Sequence, residues 1–165
     1  MTSEHLLHTI PPIYDGNSKI LILGSFPSVK SREVSFYYGH PQNRFWRVLA
    51  AVLGCAVPSS NEEKTALLQS HNIALWDVIK SCDIVGSSDS SIKNVVPNDI
   101  VVILSSCGIR QIYSNGKTSE KLFNKYIKDT VGRDTVALPS TSPANASYNL
   151  ERLTDSWSVI KNNIR

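Results

Sequence analysis

Two short segments of this chain concentrate the residues whose types and spacing could do chemistry. The first runs Gly24-Ser25-Phe26-Pro27-Ser28 and resumes as Phe36-Tyr37-Tyr38-Gly39-His40-Pro41-Gln42-Asn43-Arg44-Phe45-Trp46. Aromatic rings, Gly, Pro and hydrogen-bonding side chains at this density suit a pocket for a flat polar ligand better than a core. Tyr38, flanked by Phe36 and Tyr37, can stack on a nucleobase, an interaction worth roughly 1–3 kcal/mol per base. The same rings can instead anchor a long loop to the core. The Asn43 carboxamide is both donor and acceptor, able to hold a water or read a base edge. Standing just before a helix, it can equally be a cap. His40 is a candidate general acid or phosphate contact, or simply a structural residue beside Pro41.

The second segment is Pro139-Ser140-Thr141-Ser142-Pro143-Ala144-Asn145. Small hydroxyls and free backbone N–H groups between two prolines suit close approach to a phosphate backbone. The plain alternative is a strand-to-helix turn, which any α/β protein needs.

Several other chemistries lack their residues. Pro27 and Ser28 stand where a GxSxG nucleophile elbow needs a small residue and Gly, and no GxGxxG follows a strand. Asp77, Asp83 and Asp89 are the only acids near an expected strand end. Of these, Asp89, within Gly86-Ser87-Ser88-Asp89-Ser90-Ser91, either touches the site or is solvated. Cys55, Cys82 and Cys107 are odd in number and widely spaced, which argues against disulfides, structural zinc or an iron–sulfur cluster. No metal or cofactor is expected.

The elements that must position these segments follow from the hydrophobic pattern. Lys19 to Gly24 reads as a buried parallel strand. Asn43 to Leu53 reads as a helix, with Phe45, Trp46, Leu49, Val52 and Leu53 at helical spacing and Gly54 as its stop. Asn61 to Ser70 is a second helix, with Asn61 as its N-cap. Residues Ile73 to Ile79 fit strand or helix. Ser81 to Asn98 is polar and reads as a long loop. Ile100 to Leu104 reads as a second buried strand, and Gly108 to Tyr113 and Ser119 to Lys128 as helices. Thr135 to Leu138 is a third strand, and Asn149 to Asn162 a terminal amphipathic helix. Alternating strands and helices imply an α/β fold, a three-layer αβα arrangement around a mainly parallel sheet. In such sheets ligands bind outside the carboxyl ends of the strands. Both chemical segments exit there and are expected to face one cleft.

At 165 residues the chain is expected to form one domain, residues 1–165. The 41% hydrophobic and 19% charged fractions are ordinary for a globular protein. A net charge of +3 permits contact with an anionic polymer without demanding it. The longest apolar runs are too short to span a bilayer, and Met1 to Ile10 lacks a signal-peptide pattern. An intracellular, cytoplasmic protein is expected.

The two segments and their order resemble the uracil-DNA glycosylase superfamily. The first is similar to the first motif of its mismatch-specific uracil/thymine branch, and Pro139 to Ala146 to the second motif, which wedges into DNA and grips phosphates. Likeness is greatest to the hypoxanthine-DNA (deoxyinosine) glycosylase branch. It rests on the Phe26-Pro27-Ser28 turn, the Tyr37 to Asn43 run, Leu75-Trp76-Asp77-Val78-Ile79, and Ser88 to Ile92. It spans about residues 11 to 160. Most relatives place Asp, Asn or Glu at one of the two positions held here by Ser25 and Phe26. Phe26 can neither bind water nor take a proton. The resemblance to the hypoxanthine branch implies that Asn43 carries that catalytic role. It further implies that Tyr38 stacks on a flipped base, that Gly24, Ser25 and Phe26, with His40, bind the substrate, and that Ser140, Thr141, Ser142, Pro143, Ala144 and Asn145 hold the DNA. The implied activity is monofunctional release of a deaminated base, most readily hypoxanthine, from single- or double-stranded DNA by a monomer. No lysine is placed for lyase chemistry. A G:U uracil glycosylase and a catalytically silent nucleic-acid-binding relative are the alternatives.

Overall fold

The computed structural model describes residues 2–165. Its centre is a four-stranded parallel sheet in the order β3-β2-β6-β7, built from β2 (Ile20–Gly24), β3 (Ile73–Asp77), β6 (Gln111–Asn115) and β7 (Thr135–Leu138). Every residue of β2 is buried, because the sheet is covered on both faces. Side-chain alternation divides the strand between two cores. Ile20 and Ile22, with Ile73, Leu75 and Tyr113, pack under the helices α2 (Phe45–Leu53) and α7 (Leu150–Trp157). Leu21 and Leu23, with Ala74 and Ile112, pack against Ile100, Ile103, Phe123 and Ile127 on the other face. The three-layer expectation therefore holds, and within Ile73 to Ile79, which fits strand or helix, Ile73–Asp77 is strand β3.

A second sheet was not expected. β1 (Glu4–Leu7), β4 (Ile79–Ile84) and β5 (Lys93–Pro97) pair antiparallel in the order β1-β4-β5. The Ser81 to Asn98 stretch is therefore no loop. Its polar residues hide a strand pair and a 3-10 turn at Asp89–Ser91, and Cys82 and Ile84 are buried where β4 meets the second core. Pairing with the distant β1 supplies the register that local composition cannot reveal.

Two expectations exchange places. Ile100 to Leu104 is no strand but leads into a short helix, α4 (Val101–Leu104), whose start is marked by Asp99 Oδ1 accepting from the Val101 N–H at 3.2 Å. Only Ile100 and Ile103 are buried, while Val101 and Val102 are 42% and 44% exposed, a one-sided pattern that a central strand would not tolerate. The central strand is instead β6, read above as the helix Gly108 to Tyr113. Its Ile112 and Tyr113 are buried on opposite faces. Smaller shifts occur at caps. Ser60 rather than Asn61 caps α3 (Asn61–Ser70), accepting from the Glu63 N–H at 3.0 Å. Asn149 caps α7, which gives way to a 3-10 turn at Ser158–Asn162. Gly54 ends α2 at φ 69°, as expected. The remaining helices are α1 (Val29–Val34), α5 (Lys117–Tyr126) and α6 (Lys128–Val131). No helix among the described residues is long and apolar enough to cross a membrane.

Candidate active site

At the carboxyl ends of the parallel strands lies a cavity of about 410 Å³, within the usual size range of ligand pockets. Each strand delivers part of its wall. β2 ends in Gly24 and opens into Ser25 and Phe26, β3 ends in Asp77, and β6 ends in Asn115. The turn after β7 contributes Ser140 through Ala144, and the loop before α2 contributes Tyr38, His40 and Asn43. The structure thus brings together all the residues the sequence singled out except Asn145.

The aromatic loop is sorted by burial. Tyr37 is a structural anchor: it is buried, and its hydroxyl donates to the Pro11 carbonyl at 2.7 Å. Phe36 stacks on Trp46, whose indole N–H donates to the Tyr37 carbonyl at 3.1 Å. Tyr37 and Tyr38 both line the cavity, and of the two Tyr38 is the less buried. Its backbone is in the left-handed region at φ 52°, and one face of its ring lies on Phe45 with centroids 4.1 Å apart. The Tyr38 hydroxyl is buried beside Asp77 and Asn115, yet no group meets it with hydrogen-bond geometry. Burial, and next the Asp77 charge, push its pKa far up, so it stays a neutral donor.

The floor holds a pair that the sequence did not single out. His8, brought in by the chain just after β1, donates from Nε2 to Asp77 Oδ2 at 2.8 Å. The two side chains are only 2% and 5% exposed. Asp77 Oδ1 remains on the cavity side, close to Gly24. A Cβ on Gly24 would lie 2.4 Å from Asp77 Oδ1 and 2.9 Å from the Tyr38 hydroxyl. Gly24 is needed for that close approach. The only local hint was an acid at the end of an aliphatic strand; the histidine lies 69 residues away.

Helix α2 starts at Phe45 with Arg44 at its N-cap position, so Asn43 stands one residue outside the cap and braces the turn with a single atom. Its Oδ1 accepts from the Phe45 N–H and from the Thr141 hydroxyl, both at 2.9 Å. Arg44 clasps the second loop, donating to the carbonyls of Ser142 at 2.9 Å, Asn145 at 3.1 Å and Tyr148. Two of the expected DNA contacts are engaged within the protein. Thr141 is fully buried, and its hydroxyl and N–H are both spent inside the protein. Asn145 lies off the cavity and braces the loop, donating from Nδ2 to the Ser140 carbonyl at 3.0 Å. Pro143 and Ala144 are the exposed tip. His40 is also exposed, with Nδ1 accepting from the Gln42 N–H at 3.1 Å. Asp89 stands at the rim with its pKa raised by burial, against the lowering contacts of Thr118 and Ser25.

The sequence model of the uracil DNA glycosylase superfamily matches residues 11–162, both loops included. The chain belongs to that superfamily. Similar curated proteins are the hypoxanthine DNA glycosylase of Methanosarcina barkeri, 36% identical over 82% of this chain and 85% of the relative, and that of Methanosarcina acetivorans, 34% identical over 91% and 94%. The solution NMR structure of a uracil DNA glycosylase candidate from Methanosarcina acetivorans superposes with a TM-score of 0.78 at 33% identity, covering 92% of this chain and 94% of that one. The exit of β2 carries Ser25 and Phe26, and the Phe26 ring has no group that could bind water or take a proton.

Proposed function

We propose that this protein is a monofunctional DNA glycosylase that removes hypoxanthine from deoxyinosine in DNA, leaving an abasic site. The observation that carries the reading is the convergence of Tyr38, Asn43 and Asp77 on one cavity at the strand ends. A base in a duplex is out of reach of such a cavity, so the nucleotide must be flipped out. The free face of Tyr38 offers a stacking platform. Hypoxanthine presents a ring N–H beside a carbonyl. The Asp77 carboxylate accepts only, which suits the N–H and repels the bare N1 of adenine. The N–H groups of Ser25 and Phe26 take no backbone acceptor among the described residues and can meet the carbonyl.

In the hydrolysis, water oxygen bonds to C1′ as the C1′–N9 bond breaks. The bonding pair leaves with the purine, and a water proton passes to the purine or to solvent. The protein needs no strong base if it positions the reactants and stabilises the departing base. In this reading Asn43 does so. The exposed Pro143 and Ala144, with the N–H groups around Ser140 and Ser142, fill the gap and hold the strand. Residues 1–165 act in this reading as one domain and a monomer on DNA inside the cell, with no metal or cofactor.

The test is single-turnover cleavage of duplexes carrying one deoxyinosine, xanthine or uracil. Asn43→Ala should lower inosine cleavage about a hundredfold or more, since one well-placed amide supplies roughly 2–4 kcal/mol to a transition state. It should also cost about 1–3 kcal/mol of stability, because the Phe45 N–H and the buried Thr141 hydroxyl lose their acceptor. Cleavage of uracil alone would change the substrate. Cleavage of nothing would leave a nucleic-acid-binding relative.

A further inference from the structure

The hydrogen bonds around Asn43 run in one direction. A backbone N–H can only donate, so the atom facing Phe45 is the carboxamide oxygen. The Thr141 hydroxyl oxygen accepts from Asn115 Nδ2 at 3.0 Å, so its single hydrogen goes to Asn43 Oδ1 at 2.9 Å. Asn115 is itself locked, its Oδ1 accepting from the Thr141 N–H at 3.1 Å. Thr141 is fully buried, so water does not compete for its hydroxyl. Asn115, Thr141 and Asn43 thus form a relay from the end of β6 to the start of α2. What remains for the cavity is Asn43 Nδ2, which has no protein acceptor among the described residues.

We propose that Asn43 acts as a donor, through Nδ2–H, on the departing base, and that Thr141 and Asn115 are positioning residues that hold it in that polarity. The proposal rests on the glycosylase reading. Two donors on one amide oxygen draw electron density from its nitrogen and strengthen the N–H as a donor. As C1′–N9 breaks, the electron pair moves onto the purine, where a donor stabilises it and an acceptor repels it. A donor set on a water would instead draw electron density from the oxygen that must attack. The relay therefore favours charge stabilisation over water activation. Thr141, expected from the sequence to touch DNA, serves the reaction from behind Asn43.

The test uses the full chain with Thr141→Val, Thr141→Ser, Asn115→Asp, Asn43→Ala and Asn43→Asp. Asn115→Asp keeps the acceptor for the Thr141 N–H but removes the donor, so the hydroxyl hydrogen turns to the carboxylate and leaves Asn43. Thr141→Val and Asn115→Asp should each slow single-turnover inosine cleavage roughly tenfold, the worth of one lost hydrogen bond. DNA affinity should stay within about twofold, and Thr141→Ser should restore the rate. Asn43→Asp should be as slow as Asn43→Ala. In the free protein, the Asn43 side-chain amide resonance, assigned by its loss in Asn43→Ala, should move in Thr141→Val and Asn115→Asp and return in Thr141→Ser. An active Asn43→Asp overturns the donor role. A wild-type rate in Thr141→Val or Asn115→Asp, or an unmoved resonance, overturns the relay. If Thr141→Val does not fold, Thr141→Ser and Asn115→Asp decide. A wild type that cleaves no substrate overturns the glycosylase reading and the donor role with it, while the resonance still decides the relay.

Discussion

Removing His8 should cost more than removing a surface histidine, and removing Asp77 as well should return part of that loss. His8 and Asp77 are 2.8 Å apart with side chains only 2% and 5% exposed, so neither can turn to bulk water. His8→Ala leaves the Asp77 carboxylate buried without its donor, at a cost of about 3–5 kcal/mol. Asp77→Ala leaves a histidine N–H unsatisfied, at about 1–3 kcal/mol, plus a small cavity. In the double variant no orphaned group remains, and only packing is lost. Its stability should lie close to that of Asp77→Ala, giving a coupling about as large as the His8→Ala loss itself, about 3–5 kcal/mol. At roughly 2–4 °C per kcal/mol for a chain of this size, His8→Ala should melt about 6–20 °C below wild type. Urea unfolding of the four proteins at neutral pH, with m-values compared, reads the cycle. Additive losses, with the double variant equal to the sum of the singles within about 0.5 kcal/mol, would refute the coupled floor.

Gly24→Ala should destabilise by about 1–3 kcal/mol, because Asp77 is pinned by His8 and cannot yield to a Cβ only 2.4 Å away; thermal melting tests this, and inosine cleavage should fall with it. Asp89→Asn should raise the melting temperature at pH 7. The Asp89 pKa is raised in the folded protein, so its protonated form contributes stability below the ordinary aspartate value that is lost as pH rises through the folded pKa. The gain should vanish in acid, and a pH series of melts of both proteins measures it. Ala144→Asp, at the exposed tip of the second loop, should weaken DNA binding most at low salt while leaving the melting temperature within about 1 °C; a salt titration of binding checks this.

The chemistry of this protein was largely local in the chain. Ile20 to Gly24 is buried on both faces whatever its neighbours, so a continuous aliphatic run ending in Gly announced a central strand and the cleft at its end. Thr135 to Leu138 and Gly54 were legible for similar reasons, through β-branched density before a proline and a left-handed helix stop. The two loops carried their residue types openly, and superfamily membership followed from them. What only the tertiary structure decided depends on partners far apart in sequence. Ile100 to Leu104 and Gln111 to Asn115 are both short apolar stretches, and only the packing of Ile100 and Ile103 beneath a fully covered β6 separates helix from strand. The β4 and β5 pairing needed β1, more than 70 residues upstream of β4. A separation of 69 residues hid His8 from Asp77. Asn43 could be a cap or a catalyst as long as only its place at the start of a helix was known. Thr141, 98 positions away, supplies the second donor that occupies its oxygen and leaves its nitrogen to the cavity.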